Sequence, residues 1–549
     1  MLVNWPDHKV HETLKSEIEM IRLKNGQAGL SIISALMLSM FATNSHAATA
    51  TFDPATGVVD MPVVEVLNGA SSTFFNAQLQ IDGDALKLIS ANPIPETKGQ
   101  ERVVFDLATT ALHVPSINVG ADEFYAKLQL IPGTSRFSVA QLVNNSFQGC
   151  PDFAAPGPVE GSCLLSGEYN QNITLTKNTQ WIVSGGVFIG GDNVNSATLT
   201  INPGTQIFGQ QGADFLWIRR GSKIMAEGTP DHPIVMSGPS QQAAGEWGGL
   251  VLSGNAPVNG CNEGVSPCEI PFEAVTSEIF GGNNPEDNSG LIKYTQILFA
   301  GFAVRPNEEL NGLTLNGVGS GTVIDFVHVH EGLDDGVEMF GGTVGLKHLV
   351  LSNIGDDSLD WGSGWTGKAQ FVLIKQAGDD GDRGIEADNN EVNNDITPRA
   401  KPMLSNMTMI GAPVATQGIL LRRGTGANIW NSVITGFPDC VSIDGDATFL
   451  NAGAPGNLTG ELTMVNSFVR CGNNFLDGNG ATFAVADWFT AQSGNSQEDP
   501  LLNGFLPAAG SPLTLGGAPV NDAFFDAVDY VGAFKDAGDD WTQEWTFNF

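Results

Sequence analysis

Charge is scarce in this 549-residue chain, and basic charge scarcest of all. Charged residues make up 15%, against roughly 25% in an ordinary globular protein. Lys and Arg number 25 against 60 Asp and Glu, a formal charge of −35. With no basic stripe to neutralise phosphates, nucleic acid is excluded as a partner. The six cysteines form no CxxC, and there is no G-x-S-x-G elbow, no P-loop and no G-x-G-x-x-G opening a helix, which removes the commonest hydrolase and nucleotide signatures. Beyond residue 47 no stretch approaches the roughly 18 apolar residues that a membrane-spanning helix needs.

What is present is glycine, 67 residues, and apolar residues, 42%. That composition excludes global disorder. The glycines follow no G-X-Y period, which excludes collagen. Small residues and abundant turn formers point to an all-β protein. At this length the chain passes the roughly 250–300 residues at which one core stops growing, so several domains or an elongated stack are expected.

The N-terminus reads as an address. Met20-Ile-Arg-Leu-Lys is basic, Ala28 to Ala42 is apolar and small, and Ser45-His46-Ala47 offers small residues at a cleavage site. This is the order of a secretory signal peptide over residues 1–47. No cysteine lies at the cleavage point, so lipidation there is not expected. In an exported chain an even number of cysteines implies bridges. Fifteen pairings are open, and the local set is expected: Cys150 with Cys163, Cys261 with Cys268, Cys440 with Cys471.

Residues 48–145 hold an internal repeat. Phe52-Asp-Pro-Ala-Thr-Gly returns as Phe105-Asp-Leu-Ala-Thr-Thr, and Asn76-Ala-Gln-Leu-Gln-Ile as Tyr125-Ala-Lys-Leu-Gln-Leu. Both copies alternate apolar and polar residues, so two small meanders forming a β-sandwich are expected. From 146 to 480 the texture is different. Short apolar runs recur between Gly, Asn and Asp, and Asp334-Asp-Gly-Val-Glu-Met returns 22 residues later as Asp356-Asp-Ser-Leu-Asp-Trp. A period near 22 marks a parallel β-helix, in which stacked coils share one core. The columns agree: Val327 and Val329, Leu349 and Leu351, Val372 and Ile374 are all apolar and face in. The alternate positions, among them His328, His330 and His348, are mixed and face out. Residues 481–549 are aromatic and irregular, as expected of a cap over an open solenoid end.

Gly245-Glu-Trp-Gly-Gly-Leu-Val-Leu-Ser-Gly-Asn-Ala-Pro, Phe280-Gly-Gly, Asp287-Asn-Ser-Gly, Asp334-Asp-Gly-Val-Glu-Met-Phe-Gly-Gly and Tyr530-Val-Gly-Ala-Phe, in that order, resemble bacterial envelope proteins of the LipL type, outer-membrane lipoproteins of spirochaetes. The resemblance implies a pectin-lyase-like right-handed β-helix and assigns no activity. This chain lacks that family's acylated cysteine, which favours a periplasmic, surface-held or released form in a Gram-negative bacterium.

The strongest chemical signal is acidic. With Val337, Leu359 and Ile385 facing in, Glu338, Asp360 and Glu386 face out on adjoining coils, and Asp335, Asp357 and Asp382 crowd the same edge. Strands ~4.8 Å apart make each carboxylate pair repel by about 3–4 kcal/mol at an effective dielectric near 20. A cation, a shared proton or solvent relieves this. Dense hard oxygens suit Ca²⁺, and a solvated turn-corner ladder is the alternative. Paired carboxylates also suit glycoside hydrolysis. A lyase would need a base, for which Arg383, Arg422 and Arg423 are available. His328 and His330, with His348 and Glu331 nearby, could hold Zn²⁺ or Cu²⁺, or could simply be exposed polar residues. Trp217, Trp247, Trp361, Trp365 and Trp430 could stack sugars, although Trp361 shares the inward column. The expectation is a non-catalytic exported binding protein, Ca²⁺-stabilised, with a polysaccharide or matrix or envelope component as partner. A polysaccharide lyase or hydrolase and a structural envelope component are the alternatives.

Overall fold

The computed structural model describes residues 48–119, 122–262, 264–305 and 308–549. The leader assigned to residues 1–47 lies outside the described residues. The chain divides into two compact units, Met1–Gln148 and Gly149–Phe549.

Among the described residues the first unit has eight strands: β1 (Ala50–Asp53), β2 (Val58–Asn68), β3 (Ser71–Asp82), β4 (Ala85–Pro93), β5 (Val103–Asp106), β6 (Ala111–Val119), β7 (Asp122–Leu130) and β8 (Arg136–Asn144). Each repeat contributes four. The expected sandwich is instead one continuous sheet rolled into a barrel-like form, and two prolines explain how. In β2 the register with β3 breaks between Met61 and Val64, around Pro62. Before the break, β2 pairs with β1 of its own repeat, Thr51 opposite Asp60. After it, β2 pairs in parallel with β5 of the other repeat, Val64 opposite Val103. Pro115 in β6 does the same, with a break between Val114 and Ile117 and a change of partner from β5 to β1. Proline has no N–H for a ladder, so it falls where pairing is interrupted. The reciprocal exchange of β1 and β5 closes the sheet.

The second unit is a right-handed parallel β-helix with three sheets. In the coils with the shortest period, the first sheet holds residues 323–325, 345–347 and 368–370, and the second 327–330, 349–352 and 372–375. The third holds 337–340, 359–362 and 385–387. Val327, Leu349 and Val372 are paired in register, as are Val329, Leu351 and Ile374, and all six are buried in one continuous core. All three disulfides follow the local pairing.

The corner between the first two sheets is a column of left-handed residues: Tyr294, Phe326, His348, Phe371, Asn406, Asn431 and Asn466, with φ between 44° and 58°. Asn tolerates this region, and the bulky residues do not. Ring stacking offsets the strain. The Tyr294 and Phe326 centroids lie 4.4 Å apart, Phe326 and His348 4.2 Å, His348 and Phe371 4.9 Å.

The cap has two parts. Helix Val485–Thr490 puts Trp488 and Phe489 onto the last coil, inside the core. The remaining tail runs back along the flank as a strap. Asn406 Nδ2 donates to the Tyr530 carbonyl at 3.1 Å, Gln296 Nε2 to the Trp545 carbonyl at 2.7 Å, and Trp545 packs on Phe326 at 5.7 Å. The outward histidines are therefore covered. His328 is 0% exposed and His330 7%.

Candidate functional site

The third sheet sets the site. Its outward column runs Thr314, Glu338, Asp360, Glu386 and Leu420, each the register partner of the next. Inward neighbours Val337, Met339, Leu359 and Trp361 fix the strand faces, so the carboxylates have no other direction to point. Asp335 and Asp357 precede the strands, and each caps the following coil. Asp335 Oδ1 accepts the Asp357 N–H at 3.0 Å, and Asp357 Oδ1 accepts the Arg383 N–H at 2.9 Å.

The structure brings all six predicted acidic residues together in overlapping groups, Asp360 lying within 4.8 Å of Asp335 and Glu338 and also of Asp357 and Glu386. Arg383 Nη1 lies 2.7 Å from Asp382, 2.6 Å from Glu386 and 3.3 Å from Asp357. Arg422 pairs with Glu386 and, at 2.9 Å, with Asp388. Arg423 holds the other Asp388 oxygen at 2.8 Å. The arginines considered as lyase bases are thus engaged by acid. At the other end Asp335, Glu338 and Asp360 each offer an oxygen within 4.8 Å of the others, and among the described residues no Lys or Arg forms an ion pair with them. Burial, and then the charges on Asp360 and Glu338, push the Asp335 carboxyl well above the usual range. Burial with Glu273 and Asp334 does the same to Glu338, and burial with Glu338 and Asp388 does so to Asp360.

Asn311 was not singled out from the sequence, although Asn-Gly before a strand marks a turn. It is buried, its Nδ2 donates to Glu338 Oε2 at 2.6 Å, and its Oδ1 has no partner. Ser358 Oγ, on the coil that carries Asp360, is likewise buried and without a partner. Of these two oxygens, that of Asn311 is tied to the trio, through the Asn311–Glu338 hydrogen bond.

Two insertions wall this face. Residues 254–289 lay Val258, Phe272 and Phe280 over Phe215, Trp217 and Val251. Residues 388–402 meet them through Asn259, whose Nδ2 donates to Asn389 Oδ1 at 2.9 Å and to the Pro398 carbonyl at 3.0 Å. The Cys261–Cys268 bridge lies in the first wall. Replacing both cysteines with serine is expected to cost that loop about 2 kcal/mol through regained chain entropy. Amide exchange should quicken across 254–289 and stay unchanged across 323–375.

Two other expectations are corrected. Trp217, Trp247, Trp361 and Trp365 are each 0% exposed, so they offer no sugar platform: three fill the coil core and Trp217 lies under the first wall. His328 and His330 form no metal site with His348. The Phe547 N–H donates to His328 Nδ1 at 3.1 Å, so His328 Nε2–H donates to Ser352 Oγ and Ser352 to His330 Nδ1, both at 2.8 Å. His348 Nδ1 instead lies 2.7 Å from Asp325.

No curated protein matches the chain. Among solved structures it is similar to the periplasmic alginate epimerase AlgG, with a TM-score of 0.28 and 11% identity over 64% of this chain and 80% of that one. The enzymatically active domain of bacteriophage CBA120 tailspike protein 2 gives 0.21 and 11%, over 67% and 50%. Full-length tailspike protein 2 of an Escherichia coli O157:H7 bacteriophage gives 0.20 and 10%, over 78% and 56%. Residues 167–500, more than half of the chain, match the pectate-lyase like beta helix domain, in agreement with the coils and their register, and the chain belongs to that family.

Proposed function

We propose that this chain is an exported polysaccharide-binding protein of the bacterial envelope or its surroundings, that it holds Ca²⁺ at Asp335, Glu338 and Asp360, and that it performs no chemistry. The observation that carries the reading is the trio itself: three carboxylates within 4.8 Å, no ion pair to Lys or Arg among the described residues, and the Asn311 oxygen beside them. Ca²⁺ takes six to eight oxygens in flexible geometry, and Glu338 and Asp360 keep part of their surface open for water and ligand. The pectate-lyase like family of the solenoid supports a polysaccharide as the ligand. Three disulfides fit an oxidising compartment. Kinship with LipL-type envelope proteins rests on the shared motifs and belongs to this proposal.

Calcium is expected to raise the melting temperature, and at a hundredfold excess over Kd to add about 3 kcal/mol. The effect should weaken as pH falls from 8 to 5, because the ligand carboxyls must lose protons to bind. Calorimetric titration and melting in Ca²⁺ and in EDTA test this. Asp360→Asn should remove the response and Asp382→Asn should leave it. A midpoint indifferent to Ca²⁺ at pH 8 defeats the proposal.

One observation favours a second reading. Without a cation, burial and mutual repulsion make these carboxyls hold their protons to higher pH than ordinary carboxyls, and a protonated carboxyl beside an ionised one is the acid–base pair of a glycosidase. Polysaccharide cleavage that persists in EDTA and disappears in Glu338→Gln would establish it.

A further inference from the structure

The barrel of the first unit contains an apolar cavity of about 170 Å³. Natural cores leave few voids larger than a water molecule, and an engineered cavity of about 150 Å³ stays dry and takes up benzene. The internal repeat explains why this one is empty. In the second repeat Ala126 faces Leu142 across the strands, and Leu142 packs on the core. At the matching place in the first repeat Ala77 faces Ala91. One half of the barrel has a leucine where the other has a methyl group, and the cavity lies on the methyl side.

The lining decides what enters. None of the residues around the cavity is charged. Of its three hydroxyls, Thr110 Oγ1 accepts from Gln129 Nε2 at 2.7 Å and Thr134 Oγ1 donates to the Ile131 carbonyl at 2.8 Å, while that of Ser135 is half-buried. Three hydroxyls and no charge among otherwise apolar side chains favour a hydrocarbon occupant. The cavity is not sealed, since Phe75, Leu88, Leu107 and Leu130 line it and are only partly buried, and Ala91 is exposed. An open mouth and a mostly apolar interior suit a chain entering end-on with its head group left in water. A wholly apolar molecule would use only the interior.

We infer that the N-terminal barrel binds one medium-length alkyl chain of an amphiphile, such as an acyl chain of a lipid or glycolipid, independently of the acidic site on the solenoid. The test is calorimetric titration of the full chain with octyl glucoside and with sodium octanoate, both below micelle formation, and with indole. Both octyl compounds should saturate one site with similar affinity despite different heads, and indole should bind at least tenfold more weakly. Ala91→Leu, which gives the first repeat the side chain of the second, should weaken octyl binding at least tenfold without lowering the melting temperature. Ala77→Val is the second variant should Ala91→Leu fold poorly. No saturable octyl binding, tighter binding of indole, strong dependence on the head group, or unchanged binding in a folded filled variant overturns the inference.

Discussion

Trp361→Ala is expected to destabilise the solenoid by about 3–5 kcal/mol, the range for emptying a large aromatic site in a core. The indole is 0% exposed. It lies between Met339 on one coil and Ala387 on the other, with Trp365 at 5.7 Å. The small Ala387 makes room for the ring on one side, and its methyl group is too short to close the void left there. The Nε1–H also donates to Thr425 Oγ1 at 3.1 Å, so truncation leaves that buried hydroxyl only its own bond to the Gly426 carbonyl at 2.9 Å. Trp361→Phe should recover most of the loss, leaving about 1 kcal/mol for the hydrogen bond. Because Asp360 precedes this ring in one strand, Trp361→Ala should also weaken Ca²⁺ binding, whereas a core void far along the axis, such as Ile207→Ala, should not. Denaturant midpoints measure the first effect and calorimetry the second. A loss below about 1 kcal/mol for Trp361→Ala would mean the ring is not packed between coils.

The parts of this molecule that were legible in the sequence are those in which neighbours in space are separated by a constant number of residues. Val327, Leu349 and Val372 line up because each coil rebuilds the same cross-section, and Glu338, Asp360 and Glu386 followed from the same period. The cysteine pairs were legible because each is close in sequence. What was not legible depends on irregular separations. The strap meets residues 294–330 from more than two hundred positions away, Phe547 on His328 for example, and no period announces such a contact. The insertions at 254–289 and 388–402 lengthen single coils, so the walls were invisible and Trp217 looked available to sugar. The corner column was hidden for another reason. Its conformation is that of Asn or Gly, but Tyr294, Phe326, His348 and Phe371 occupy it, held there by stacking across coils. Which carboxylates of the acidic ladder are paired turned on where Arg383 and Arg422 reach, and a pattern of strand faces does not contain that.

Trp545→Ala is expected to cost about 3–5 kcal/mol as well, but the loss should appear as release of the strap and not as collapse of the coils. Trp545 is 1% exposed and rests on Tyr294 and Phe326, at 6.0 and 5.7 Å. Without it the last residues keep only the contacts of Phe547 with Phe299 and of Phe549 with Phe505 and Lys375 to hold them over His330 and His328. Acid should loosen the same contact. Burial, and then the Lys375 charge, hold His330 down at about 4 against an ordinary 6.5. Burial, with His330 beside it, holds His328 well below 6.5, and its Nδ1 must stay unprotonated to accept the Phe547 N–H. A folded pKa below the unfolded one means that the stabilisation is complete above pH 6.5 and is lost as pH falls from there towards 4. For His330 alone this amounts to about 3 kcal/mol. The acidic ladder has the opposite sign. Asp357 is raised to about 7 and Asp388 to about 6, so their cost builds as pH climbs from the ordinary carboxyl range and is relieved as it falls. A melting temperature for the whole chain therefore adds two opposed slopes and can stay flat while the strap lets go. Limited proteolysis of the last twenty residues between pH 7 and 4 separates them: cleavage should rise steeply below pH 6 in the native chain. In His330→Phe, which fills the same space without titrating, the rise should be much shallower. Cleavage rates equal in the two proteins at pH 4.5 would place the acid sensitivity in a group other than His330.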